Sequence, residues 1–248
     1  MTSTSETGHA KNVVNFDQFI SSVVGFGAIY NPSRSAIQIP SLQALSASAR
    51  AALNRVNAAQ ADYSNAVAAR EVKFQPLSKL ATRILNAIRA TDTTSSVDDN
   101  VKTLVRKIQG VKATPKLTEE EKKALAAEGK ETKEISSSQL SFDSQLENFN
   151  KLIQLLASIP QYVPNEEELK VTTLTAQYNE MKTLNDTVVS TATALSNARI
   201  ARNEVLYKEN TGLVDISVDT KNYIKSVFGA TSPQYKQVSK LTFISLLR

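Results

Sequence analysis

SLQALSASARAALNRVNAAQADYSNAVAAREVKF, residues Ser41–Phe74, decides the fold class. Leu42, Leu45, Ala49, Ala52, Leu53, Val56, Ala59, Tyr63, Ala66, Val67 and Val72 recur at steps of three and four, the stripe of an amphipathic helix. At about 1.5 Å per residue this is roughly 50 Å of helix. Its alanines, dense between Ala44 and Ala69, leave room for a neighbouring helix axis to come close. Pro76 closes or kinks it, because proline lacks the amide proton that helix propagation needs.

Working outward, a first helix is expected over Val13–Ala28. The Tyr30-Asn31-Pro32 turn ends it, since the residue before proline avoids the helical region. After Pro76 a third helix, Leu77–Ala90, carries Leu80, Ile84, Leu85 and Ile88. A fourth, Val97–Gln109, stops at Gly110. The second half repeats this plan. Phe16-Asp17 recurs as Phe142-Asp143, Tyr30-x-Pro32 as Tyr162-x-Pro164, and Leu53-Asn54 as Leu184-Asn185. Farther along, Glu71-Val72 recurs as Glu204-Val205 and Ala90-Thr91 as Ala230-Thr231. The matches are collinear and sit at apolar or turn positions, which points to tandem duplication.

In the second copy Asn165 is the expected N-cap of the long helix, with Glu166, Glu167 and Glu168 in its first turn, where the helix dipole favours anions. That helix should reach Lys208, and Asn210-Thr211-Gly212 should end it. Leu213–Phe228 follows with Gly229 as its stop, and Ser232-Pro233 opens a last helix finishing in Leu241, Phe243, Ile244, Leu246 and Leu247. The expected fold is therefore all-α: an elongated helical bundle of two tandem four-helix copies with one long helix each. Its parts are a polar N-terminal arm over 1–11, copy one over 12–110, a spacer over 111–137 and copy two over 138–248. The spacer holds six Lys and six Glu and a capping box, Thr118-x-x-Glu121, for a short helix over Glu119–Glu128.

Composition narrows the chemistry. With 41% hydrophobic and 21% charged residues the chain can build a core, and with 7 Gly and 7 Pro in 248 residues it is poor in turns. It contains no cysteine, which removes disulfides, thiol nucleophiles and cysteine metal sites. Its single histidine, His9, lies in the polar leader, so no two-histidine site can form within one chain. No catalytic, cofactor-binding or metal-binding residue is assigned, and the chain is read as no enzyme. Asp98-Asp99 and Glu166–Glu168 are dipole-placed acids rather than acid/base pairs. Gly25-Phe26-Gly27 lacks the third glycine and preceding strand of a nucleotide loop and reads as helix-end punctuation. Asn185-Asp186-Thr187 is a formal glycosylation sequon inside an expected helix and is set aside.

The net charge of +5 falls wholly in copy one, with eleven Lys and Arg against six Asp and Glu; copy two balances at eleven each. Arg50, Arg55, Arg70, Arg83, Arg89 and Arg106 could meet an anionic surface. No aromatic residues interleave with them, so a solvated face is expected and no specific nucleic acid is assigned. No basic-then-apolar leader and no run of spanning length occurs, so the chain reads as cytoplasmic, or exported without a classical signal peptide.

The opening ETGHAKNVVNF (Glu6–Phe16) and the close VFGATSPQYKQVSKL (Val227–Leu241), with the Tyr-x-Pro turn, resemble a group of uncharacterised all-helical proteins of Bacteroidota. The resemblance implies a bacterial origin and an all-helical, duplicated fold, and transfers no activity, cofactor or site. The expected function is non-enzymatic: a structural or interaction protein that self-associates through helical faces into a homo-oligomer or filament, with Phe243, Ile244, Leu246 and Leu247 and the N-terminal arm as contacts. The alternative is a membrane-active, pore-forming-like bundle inserting the segment of Phe19, Ile20, Val23, Val24, Phe26 and Ile29; a membrane is the less favoured partner. Tyr30, Pro32, Tyr162 and Pro164 are read as turn pins.

Overall fold

The structure, a computed structural model, describes residues 7–111 and 140–246. The expected spacer helix over Glu119–Glu128, the first six residues of the expected arm and Leu247 lie outside the described residues. Within them all regular structure is helical: α1 Thr7–Gly25, α2 Ile39–Phe74, α3 Leu77–Arg89, α4 Ser95–Ile108, α5 Phe142–Ala157, α6 Val171–Tyr207, α7 Leu213–Phe228 and α8 Pro233–Ser239. Short 3-10 turns over Gly27–Ile29, Ser35–Ile37 and Glu167–Leu169 connect them.

Local signals place several ends. Ser141 Oγ accepts the Ser144 amide at 3.2 Å to cap α5. Ser232 Oγ accepts the Tyr235 amide at 3.1 Å to cap α8, with Pro233 in its first turn. Gly110 (φ 67°) and Gly229 (φ 87°) follow α4 and α7 in the left-handed region that glycine enters without Cβ strain.

The chain forms two compact units, one of 1–64 with 191–248 and one of 65–190. Each therefore draws on both halves of the sequence. The first unit buries Val13, Phe16, Phe19, Ile20, Val23, Ile37 and Leu42 with Leu206, Leu213, Ile216, Ile224 and Val238. The second buries Phe74, Leu77, Ile84, Ile88, Val101 and Val105 with Phe149, Leu152, Leu156, Leu174 and Met181. Helices α2 and α6 supply side chains to both cores: Leu42 and Leu206 to the first, Phe74 and Leu174 to the second.

Four boundaries differ from expectation by more than two residues. Helix α1 begins at Thr7, so residues 7–11 belong to it and not to an arm; Thr7 and Lys11 face solvent, and His9, 8% exposed, is accommodated by its hydrogen bond to the Tyr207 hydroxyl. It ends at Gly25 rather than Ala28, the next residues tightening into a 3-10 turn. Glu166–Glu168 do not form the first turn of α6. Glu167–Leu169 is a separate 3-10 turn, Lys170 is extended (φ −63°, ψ 139°), and α6 starts at Val171. The Tyr162 hydroxyl donates to the Leu169 carbonyl at 2.9 Å and diverts that carbonyl from a helical ladder. Finally, α8 stops at Ser239, and residues 241–246 continue without helix.

Candidate interaction site

The site is built where the C-terminal segment returns to α1. Asn12, 3% exposed, donates from Nδ2 to the Ile244 carbonyl at 2.8 Å and accepts the Ile244 amide on Oδ1 at 3.1 Å. One side chain thus satisfies both backbone groups of a residue, as a neighbouring strand would. One turn along α1, Asn15 Nδ2 donates to the Thr242 carbonyl at 2.8 Å. One turn in the other direction lies Gly8, where a Cβ would stand 2.8 Å from Leu246 Cδ1. Thr242, Ile244 and Leu246 therefore pair with Asn15, Asn12 and Gly8, so the segment runs antiparallel to α1.

Phe243, between two of these backbone-anchored residues, packs inward. Its ring meets Phe19 at 5.9 Å and Phe16 at 6.3 Å between centroids, both edge to face. From α7, Lys221 Nζ lies 5.1 Å from the Phe243 centroid and also donates to the Leu241 carbonyl. Burial pushes the Lys221 ammonium below its ordinary pKa. Beneath the segment, the Tyr207 hydroxyl lies 2.6 Å from His9 Nδ1 and accepts from Asn12 Nδ2 at 3.3 Å. The sole histidine is thus held by the end of α6.

The sequence candidates separate as follows. Phe243 sits half-buried in its own chain, whereas Ile244 and Leu246 are 61% and 42% exposed. Phe19, Ile20 and Val23 are core residues; Phe26 packs on Phe228 at 5.3 Å; Val24 and Ile29 are exposed. Among the described residues no helix is long and apolar enough to cross a membrane. The two Tyr-x-Pro turns share one bond: Tyr30 OH donates to the Ile37 carbonyl at 2.5 Å, and Tyr162 OH to Leu169 as above. Pro32 is buried and Pro164 half-buried beside them. Burial pushes both phenols up to about 12. Sequence reasoning missed Asn12, Asn15, Tyr207 and Lys221. The only local hint was the three-residue spacing of Asn12 and Asn15, which places both on one helix face.

Several candidate cations already have partners. Arg50 pairs with Asp17, which also accepts from Ser46, and Arg83 pairs with Glu168. Arg70 lies 3.9 Å over the Phe142 ring and donates to Asn185 Oδ1 at 3.0 Å; Asn185 in turn donates to Asp143 at 2.8 Å. The Arg70 Nε is buried without a partner. Asp98 accepts from the Thr93 hydroxyl at 2.8 Å at the start of α4, and Glu167 pairs with Lys170 at 2.5 Å. The second unit also carries an open groove of about 960 Å³ with an apolar floor of Val72, Leu77, Leu80, Met181 and Leu184, rimmed by the pairs Lys73–Glu180 and Arg83–Glu168. Among the described residues no three His, Asp or Glu side chains cluster as metal ligands. No protein-family model, no curated protein and no solved structure matches the chain.

Proposed function

We propose that the chain is a non-enzymatic interaction protein that associates with further copies of itself, with its C-terminal segment and α1 as the contact region. The observation that carries this reading is the pair Ile244 and Leu246: two large apolar side chains left exposed on a segment whose backbone is anchored to α1. Adjacent exposed apolar side chains on an ordered backbone are the material of protein contacts. The finer architecture belongs to the same proposal. The chain is a tandem duplication, supported by the repeated Tyr-x-Pro turns, each with its phenol bonded to the carbonyl seven residues on and each followed by a helix of 36 or 37 residues. Two similar but non-identical copies offer complementary faces, and such heterologous contacts close into rings or propagate.

The test is the solution mass of the full chain by size exclusion with light scattering, at two concentrations tenfold apart. A mass above 27.0 kDa that rises with concentration is the expected result. Replacing Ile244 and Leu246 together with Asp should lower it, because both side chains are exposed and their loss leaves the core intact. A single-chain mass at both concentrations overturns the proposal and moves attention to vesicle leakage, for which this reading expects none.

A further inference from the structure

We infer that the contact between copies is an exchange, in which the segment 241–246 of one copy occupies, on a second copy, the seat that it occupies on its own α1. The inference rests on the self-association proposed above and names its partner and chemistry. The seat recognises backbone through Asn12, Asn15 and Lys221, at the carbonyls of Ile244, Thr242 and Leu241 and the amide of Ile244. It recognises one side chain, Phe243, through Phe16 and Phe19. None of these contacts requires that the segment be covalently continuous with the seat. Every contact made within one chain is available between two, so closed and exchanged forms differ mainly in the hinge and in association entropy.

Two features favour exchange. The segment is attached through α8, a helix of only 7 residues, followed directly by the extended stretch. Exchange also brings a second copy alongside Ile244 and Leu246, which the closed form leaves 61% and 42% exposed.

The decisive experiment mixes two full-length variants. Phe243→Asp spoils the segment and leaves the seat; Asn15→Asp places a carboxylate against the Thr242 carbonyl and spoils the seat while leaving the segment. Each alone should give a single-chain mass with unchanged helical circular dichroism. Their mixture should give a complex of twice the 27.0 kDa chain mass. Deleting Lys240 shifts the segment by one residue against its own seat, turning Phe243 away from Phe16 and Phe19 while leaving the buried residues of both cores unsubstituted, and should raise the associated fraction several-fold. Association of Phe243→Asp at the wild-type level, failure of the mixture to complement, or no effect of the Lys240 deletion would overturn exchange while leaving self-association standing. A wild-type chain that stays monomeric overturns both.

Discussion

Asn12 and Ile244, 232 residues apart in the chain, exchange two hydrogen bonds, side-chain amide to carbonyl and amide to side-chain oxygen. This pairing makes the C-terminal segment part of the first unit. In Asn12→Ala the Ile244 backbone loses both partners, and Tyr207 loses one donor. The expected cost is about 1 kcal/mol, since water can reach part of the site. Hydrogen exchange at the Ile244 amide should quicken while that of Phe19 stays slow; equal protection in the variant would show that Asn12 is not the anchor.

The tyrosines predict a pH dependence. The folded-state pKa values of Tyr30 and Tyr162 are raised from 10.0 to about 12, so the folded chain holds their protons more tightly than the unfolded chain. Their contribution is fully present below pH 10 and is lost as pH rises through about 12. The urea midpoint should fall between pH 9 and 11. In the Tyr30→Phe, Tyr162→Phe double variant the fall should be shallower, because those two protons no longer couple to folding.

Tyr162→Phe at neutral pH isolates the hydrogen bond. The Leu169 carbonyl loses a buried donor, and the expected cost is about 1 kcal/mol in urea unfolding. The equivalent change at Tyr30 should cost a similar amount, although Tyr30 also stacks edge-on against Tyr223 at 5.3 Å.

Arg70 and Phe142 should be coupled. A double-mutant cycle with Arg70→Met and Phe142→Leu is expected to return about 0.5–2 kcal/mol for the cation over the ring. Arg70→Met also removes the buried unpartnered Nε, so the single variant should cost less than the loss of its bond to Asn185 alone would suggest.

In the second unit, Phe149 is fully buried in contact with the helices around it. Phe149→Ala should destabilise the chain by about 3–5 kcal/mol, read from thermal or urea unfolding.

The stripe from Leu42 to Val72 and the Pro and Gly punctuation around it were enough to read an all-helical chain, because helix periodicity and chain breaking are local properties. The Tyr-x-Pro turns were legible for the same reason. Tertiary structure alone decided how α2 and α6 divide their side chains between two cores, since a continuous apolar stripe does not say which neighbours it meets along its length. It also decided that Glu167–Leu169 forms a separate turn before α6, because the phenol that takes the Leu169 carbonyl comes from outside the helix. Within the candidate site, Phe243, Ile244 and Leu246 stood out as apolar residues. Their different fates, Phe243 inward, Ile244 outward and Leu246 half-covered over Gly8, follow from Asn12 and Asn15 gripping a backbone that carries no sequence signature, and only folding brings that backbone to them.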